Sequence, residues 1–299
     1  MTTSSLPPNA LRFSRSVVAK FVVLLLAFGF GLGSAHAQLL TDKQAKAAAA
    51  IIMGSPADQL YNKAVSISQT MTANTGADFA AANAAKIASF LPPNVQRILA
   101  GRIGVGVALN YPNQVSTITM RLAVLNERMQ RNPSLLIYQM ASCGGFDQAS
   151  QIALGINFAM QRHGNMVRQT ALISNAIMAG ISNRPFISAQ DRANQMAYVA
   201  ANLSIGFASN SRSEKNTQDK TLNVIALTLA SHLQTMDVGN ANRDELIYNA
   251  IGNFALTLKR ALGSLSPGLV DRLLFRLAVT IQKIIPGSAN IVNLSLIHI

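Results

Sequence analysis

The chain has 299 residues, a formal net charge of +13 and a single cysteine. A lone cysteine excludes an intramolecular disulfide, so the fold must be stabilised by packing. Only 12 residues are acidic, which leaves few candidates for chemistry that depends on paired carboxylates, such as glycoside hydrolysis.

The first 37 residues have the three parts of a secretory signal peptide. Three basic residues precede an apolar run at residues 21–32, and the small residues Ala35 and Ala37 follow it. The alternative is an uncleaved anchor, although the run is shorter than the ~20 residues that a spanning helix needs. We expect cleavage between Ala37 and Gln38, and export to the periplasm or the extracellular space.

The predicted mature chain is still basic. It has 22 basic and 12 acidic residues, a formal charge of +10. Such a charge attracts anionic components of a bacterial envelope, while a basic surface that simply aids solubility is an equally good explanation. Nucleic acid is not an expected partner of an exported chain.

The remainder of the chain is patterned as helix. Apolar residues recur three and four apart and strict alternation is rare, so the predicted fold class is all-α. Capping pairs, in which a short polar residue precedes an acid by three positions, predict helix starts at Ser55, Thr75, Ser188, Ser211 and Asn242. Proline predicts further starts at Pro93, Pro112, Pro133 and Pro267.

We expect about ten or eleven helices in stacked antiparallel hairpins, with one or two of the predicted segments merging. The segments are 41–53, 56–73, 76–90, 93–109, 113–131, 134–143, 147–162, 165–182, 189–208, 216–236, 243–262 and 267–285. Pro93 to Pro133 covers two helices in 40 residues, which is the length of a helical-hairpin repeat. An α-solenoid-like array and an irregular bundle both agree with this spacing.

The predicted organisation has four parts after the signal peptide. They are a helical domain at 38–208, a polar linker at 209–218, C-terminal helical hairpins at 219–290 and a tail at 291–299. The last six residues, LSLIHI, resemble an adaptor-derived peptide, and on that interpretation the tail is an artefact.

The residues that could support catalysis do not form a recognisable motif. Cys143 follows a predicted helix and would need His163 or His232 as a base to act as a thiolate nucleophile. Asp147 is an acid without an evident structural role. No two histidines are spaced one turn apart, so we expect neither a metal nor a cofactor.

The glycine-rich segment GRIGVG, with Gly101, Gly104 and Gly106, has the wrong spacing for a dinucleotide-binding loop. It also lies within a predicted helix and does not follow a strand. We therefore expect it to permit close helix packing.

The last predicted helix has both a basic and an apolar face. A step of about 100° per residue places Arg272, Arg276 and Lys283 within an arc of roughly 40°. The adjoining apolar face contains Leu269, Leu273, Leu277, Ile281 and Ile284. Such a helix can lie on an anionic membrane, or it can dock on the core with its charges in water.

These observations predict an exported bacterial envelope protein, a non-catalytic helical scaffold or interaction module. The second hypothesis is a peripheral protein that binds a membrane or an anionic polymer through Arg272, Arg276 and Lys283. The third is an unrecognised hydrolase. The expected partner is another envelope protein or an anionic envelope component, and no transmembrane span is expected after signal cleavage.

Overall fold

The computed structural model of the protein describes most of the predicted mature chain. The described residues are 38–143, 148–149, 151–153, 155–156, 166–208, 215–236, 240–262, 267–285 and 287–290. The predicted signal peptide, His163, Asp147 and the tail at 291–299 lie outside them.

Helices make up the described structure, and none of the described residues is in a strand. The predicted all-α class with stacked helices is confirmed. The helices are α1 Asp42–Met53, α2 Leu60–Thr72, α3 Ala80–Ser89, α4 Pro93–Asn110, α5 Val115–Ala123, α6 Glu127–Arg131, α7 Ser134–Cys143, α8 Met166–Ser182, α9 Ala189–Ala208, α10 Lys215–Thr235, α11 Asn240–Leu262 and α12 Pro267–Ile284. Short 3-10 helices, Ala77–Phe79 and Pro112–Gln114, precede α3 and α5, and the described residues between 148 and 156 are helical.

The predicted capping pairs have mixed outcomes. At α9 the Ser188 hydroxyl accepts from the Asp191 amide at 3.0 Å and donates to its carboxylate at 2.7 Å, so that prediction is confirmed. The prediction at Ser55 is wrong, because α2 begins at Leu60. The Ser55 hydroxyl donates instead to the Ile51 carbonyl at 3.0 Å, at the end of the preceding helix.

Two further capping predictions, at Thr75 and Asn242, are also wrong. The Thr75 hydroxyl donates back to the Thr72 carbonyl at 3.1 Å, and α11 begins at Asn240, before Asn242. Short hydroxyl side chains can bond the carbonyls of a finished helix as readily as the amides of a new one. The Ser211 pair lies outside the described residues, whereas Pro93 and Pro267 begin α4 and α12 as predicted.

The predicted helix at 113–131 is divided into α5 and α6. The side chain of Asn126 accepts from the Met129 amide at 2.9 Å, and this cap starts the short helix α6. A cap inside an otherwise continuous helical pattern therefore ended one helix and began another.

Successive helices form a two-layer stack. In the first layer each helix packs on the next in the order α2, α4, α7, α8, α10 and α12. In the second layer α3 packs on α5, and α9 packs on α11. Across the layers, α1 packs on α2, α3 on α4, α9 on α10 and α11 on α12. This order is that of stacked helical hairpins, and it favours the α-solenoid-like array over the irregular bundle.

The described residues after the predicted signal peptide belong to one compact unit. Helices α9 and α10 pack on each other although the predicted linker at 209–218 joins them. The division into domains at 38–208 and 219–290 stays a prediction.

Glycine lets α4 approach the helices on both sides of it. A Cβ added at Gly101 would lie 2.6 Å from the Gln139 Cβ and 2.7 Å from the Leu136 carbonyl oxygen of α7. A Cβ added at Gly106 would overlap the Val65 carbonyl oxygen of α2. Real Cβ atoms do not tolerate such distances, so the prediction of close helix packing at GRIGVG is confirmed.

The same close approach recurs along the stack. A Cβ added at Gly180 of α8 would lie 2.7 Å from the Ala141 Cβ and 3.0 Å from the Tyr138 carbonyl oxygen of α7. One added at Gly155 would overlap the Ser116 carbonyl oxygen of α5. Glycine therefore sets the spacing at several successive steps between hairpins.

Two buried serines donate to carbonyl groups of their own helices. Ser68 donates to the Ala64 carbonyl at 2.6 Å, and Ser174 donates to the Thr170 carbonyl at 2.7 Å. Both serines are fully buried. Because each hydroxyl has an acceptor one turn back, a small polar residue can occupy a tight helix interface without depending on a partner across it. Ser174 also lies 3.3 Å from the Thr228 hydroxyl of α10.

We expect Gly106→Ala to destabilise the protein, because the added methyl group has no space against α2. Overpacking of this kind typically costs about 1–3 kcal/mol of unfolding free energy. Urea denaturation followed by circular dichroism measures the change.

Gly268→Ala is the matched control. Gly268 is in the first turn of α12, and no described heavy atom lies within 4 Å of its added Cβ. We expect it to be neutral or to stabilise by up to about 1 kcal/mol, because alanine favours helix more than glycine. Equal urea midpoints for the two variants would contradict the packing role of Gly106.

Candidate functional site

Helix α12 docks its predicted apolar face on the core. Leu273, Leu277 and Ile281 on this face are buried. Burying three aliphatic side chains stabilises the docked helix by several kcal/mol. This apolar face is therefore occupied by the protein itself, as expected for a terminal helix docked on the core.

A second set of apolar side chains on α12 is exposed. Phe275 is 69% exposed and Val279 is 46% exposed, and they lie between the exposed residues Arg272 and Lys283 along the helix. We name these four residues, Arg272, Phe275, Val279 and Lys283, the α12 stripe. Phe275 and Val279 are four residues apart, so they are neighbours on one face of the helix and form a small exposed apolar patch next to the two cations.

The third predicted site residue, Arg276, is engaged within the fold. Its Nη2 lies 3.0 Å from the Asp219 Oδ2 of α10. The Arg276 side chain is 35% exposed and the Asp219 side chain is 26% exposed, so the ion pair is partly shielded from water. The structure thus separates the three predicted cations. Arg276 ties α12 to α10, while Arg272 and Lys283 face outward.

The α12 stripe borders a groove between α10 and α12 with a volume of about 400 Å³. Asn223 of α10 and Thr280 of α12 line it together with residues of the stripe. The segment that contains α12 is basic, since residues 256–285 include five cations and one acid, Asp271, and Asp219 of α10 neutralises Arg276. The cations are Lys259, Arg260, Arg272, Arg276 and Lys283.

Sequence analysis missed Phe275 and Val279, although their positions contain the necessary signal. At about 100° per residue, Val279 lies within about 40° of both Arg272 and Lys283, and Phe275 lies beside them. The two residues therefore flank the basic arc on the side away from the buried apolar face. Which part of an amphipathic helix is covered depends on its neighbours, and sequence periodicity does not contain that information.

His232 joins two helices of the stack. Its Nδ1 lies 3.5 Å from the Ser182 Oγ, and its Nε2 lies 3.1 Å from the Asn175 Oδ1. Asn175 and Ser182 are two turns apart on one face of α8, so the imidazole of α10 bridges them. Burial lowers the pKa of His232 below its ordinary value, which favours the neutral ring.

The Ser182 and His232 pair has poor geometry for nucleophilic catalysis. Its hydroxyl-to-ring distance of 3.5 Å is longer than a good hydrogen bond. Ser182 is also the last residue of α8, where the negative end of the helix dipole disfavours a developing alkoxide. A bridge between helices is the better interpretation of this pair.

The other candidates for catalysis are not brought together by the described structure. Cys143 is the last residue of α7, and its side chain, like Asp147 and His163, lies outside the described part. Within that part, no group of three His, Cys, Asp or Glu side chains could hold a metal ion. The hydrolase hypothesis stays a prediction.

None of the described helices combines the length and the apolar character that a membrane-spanning helix requires. Comparison of the chain with protein-family models finds no match. Comparisons with curated proteins and with solved structures find none either.

We expect the stability of the protein to fall in mild acid through His232. The lowered pKa means that the unfolded chain binds a proton at higher pH than the folded protein does. The contribution of His232 is therefore complete above the unfolded-state pKa of about 6.5 and is lost as the pH falls toward and through the lower folded-state pKa.

Thermal melts of the wild type and His232→Gln, followed by circular dichroism between mildly alkaline and mildly acidic pH, test this expectation. Glutamine can still form hydrogen bonds but does not titrate. We expect the melting temperature of the variant to depend less on pH across this window. Parallel pH profiles for the two proteins would show that His232 does not contribute.

Proposed function

We propose that the mature chain is a non-catalytic helical interaction module of the bacterial envelope that binds anionic lipid surfaces through the α12 stripe. The observation that carries the proposal is the exposure of Phe275 and Val279 between two outward-facing cations, Arg272 and Lys283. Export and the envelope location rest on the predicted signal peptide.

The chemistry of the stripe supports a bilayer surface as the partner. Basic side chains close to an anionic membrane each contribute about 1 kcal/mol of binding free energy. A phenylalanine and a valine that enter the boundary between head groups and acyl chains add hydrophobic free energy. The two kinds of side chain lie on one side of one helix, so a flat surface can contact them together.

Charge also separates this partner from a second copy of the chain. A symmetric contact between two α12 stripes would place Arg272 and Lys283 of one copy close to those of the other. Like charges directly opposed in an interface are destabilising. An anionic lipid surface instead neutralises these cations and covers Phe275.

Because α12 is docked on the core, the proposed membrane binding involves only its exposed side. The predicted apolar face, with Leu273 and Leu277, stays buried in the protein, so only the narrower stripe reaches the lipid. Binding is then peripheral and reversible, weakened by salt that screens the cations. No part of the fold needs to open.

Replacing both outward cations, Arg272→Gln with Lys283→Gln, is expected to weaken vesicle binding about 10- to 30-fold at low ionic strength, from about 1 kcal/mol per cation. Arg276 is left in place because it pairs with Asp219. The measurement is co-sedimentation of the mature protein with vesicles of phosphatidylglycerol and phosphatidylcholine. Pure phosphatidylcholine vesicles should bind little protein.

The matched control replaces two exposed cations of α1, Lys43→Gln with Lys46→Gln. It changes the net charge equally but leaves the α12 stripe intact, so we expect binding close to that of the wild type. The proposal is overturned if both double variants lose binding equally. It is also overturned if the wild type does not bind the anionic vesicles at low salt.

Phe275→Ser tests the apolar part of the stripe. Because Phe275 is largely exposed, the change should leave the melting temperature nearly unchanged while it removes the deepest anchor. We expect about a tenfold or greater loss of vesicle binding, from the 1.5–3 kcal/mol that burial of such a side chain typically contributes. Leu109→Ser, which also changes an exposed large apolar residue, is the control and should bind normally. Wild-type binding by Phe275→Ser would contradict insertion of the phenyl ring.

A further inference from the structure

The groove between α10 and α12 contains neutral polar groups that contact with a flat charged surface does not require. Thr280, the most buried of its described lining residues, is only 6% exposed. Asn223 lines the groove from the opposite helix, α10. The volume of about 400 Å³ is within the range typical of small-molecule sites.

Thr280 differs from other buried hydroxyl residues of the stack in its hydrogen bonding. Within the described structure the Thr280 hydroxyl has no hydrogen-bond partner, and it is not sealed within the protein. A hydroxyl group without a hydrogen bond is costly to bury, so this one is suited to bond a ligand in the groove. Six other buried hydroxyl groups each donate to the carbonyl one turn back, at distances between 2.6 and 2.8 Å: Ser68, Thr72, Thr119, Ser174, Ser204 and Thr221.

Asn223 supplies a second uncommitted polar group from the opposite wall. It is partly buried, and no hydrogen bond of its side-chain amide occurs in the described structure. An amide side chain both donates and accepts hydrogen bonds, as a hydroxyl does. The hydroxyl groups of a ligand would match both walls, because they also donate and accept.

Arg272 provides positive charge at the edge of the groove. In the described part of the chain its side chain makes one long hydrogen bond, from Nε to the Gly268 carbonyl at 3.3 Å, and no ion pair. Its other N–H groups can donate to phosphate oxygens in charge-assisted hydrogen bonds. Arg276 also lines the groove, but Asp219 already neutralises its charge.

The lining is unfavourable for an ammonium group. Its described residues include no Asp or Glu, and the Asp219 carboxylate of α10 is paired with Arg276. An ammonium in the groove would lie close to Arg272 and would lose hydration without gaining a carboxylate partner, which is costly. The groove therefore favours a ligand whose only charge is on a phosphate.

We propose that this groove binds the head group of a single phospholipid in which a phosphate diester carries free hydroxyl groups and no ammonium, as in phosphatidylglycerol. Arg272 holds the phosphate, and Asn223 and Thr280 bond the hydroxyl groups. The acyl chains leave the groove beside Phe275 and Val279, the exposed apolar residues of the α12 stripe. The proposal rests on the membrane binding proposed above, and it includes no chemical step.

Two lipids of equal net charge separate this head-group site from general attraction to an anionic surface. The mature protein is co-sedimented with phosphatidylcholine vesicles that contain the same fraction of either phosphatidylglycerol or phosphatidylserine. We expect about 3- to 10-fold tighter binding to phosphatidylglycerol, as one net hydrogen bond would give. Equal binding, or tighter binding to phosphatidylserine, would overturn the head-group site but not the membrane contact. Binding to neither would overturn the membrane contact, and the head-group site with it.

A soluble competitor distinguishes a lipid from a free phosphate ester. Glycerophosphoglycerol is the head group of phosphatidylglycerol without acyl chains, so it cannot use Phe275 or Val279. We expect that it does not displace the protein from phosphatidylglycerol vesicles at concentrations up to about 1 mM. Displacement at that concentration would identify a soluble phosphate diester as the ligand and overturn the lipid assignment.

Thr280→Val tests whether the groove causes the lipid preference. Valine has nearly the shape of threonine without the hydroxyl, and the loss of an unpaired buried hydroxyl should not lower the melting temperature. We expect the variant to bind phosphatidylserine vesicles like the wild type and phosphatidylglycerol vesicles about 3- to 10-fold more weakly. Asn223→Ala should change the preference in the same direction. An undiminished preference in both variants would overturn the assignment to the groove.

Thr257→Val is the matched control in the neighbouring helix α11. Thr257 is also partly buried, but its hydroxyl donates to the Asn253 carbonyl at 2.7 Å, and it is not among the described lining residues of the groove. We expect this variant to keep the preference for phosphatidylglycerol. If both threonine variants lost the preference equally, the effect would not come from the groove and the proposal would be overturned.

Discussion

The close approach of helix backbones at glycine is the constraint on which the stack depends. Gly101 and Gly106 lie on opposite sides of α4, so this helix contacts α7 and α2 at distances that exclude a side chain. Gly180 repeats the arrangement one step further, between α8 and α7. At these positions, dispersion contacts between backbones take the place of contacts between larger side chains. Such contacts require the surfaces of the two helices to be nearly complementary in shape.

This mode of packing explains the composition of the helices. Tight interfaces accommodate alanine, glycine and serine, and a serine such as Ser68 can enter them because its hydroxyl bonds a carbonyl of its own helix. Long charged side chains have no place there, which agrees with a charged fraction of only 12%. The cations that remain are concentrated where packing does not cover them or where a specific acceptor holds them.

Arg184 and the two exposed cations of the α12 stripe illustrate these alternatives. Arg184 is buried because the Ala141 carbonyl and Gln195 accept its hydrogen bonds. Arg272 and Lys283 are exposed because α12 turns Leu273 and Leu277 toward the core, and the opposite side of the helix is left to solvent.

The sequence by itself determined the helical class, the proline-marked starts of α4 and α12, and the close packing at GRIGVG, because these depend on local geometry and on residue size. It did not determine which hydroxyl groups cap a new helix, since Ser55 and Thr75 found acceptors in the helix before. Only the tertiary structure decided that Arg276 pairs with Asp219, that Phe275 is exposed, and that Asn223 and Thr280 line one groove. These features join residues far apart in the chain, and helical periodicity describes only neighbours within one helix.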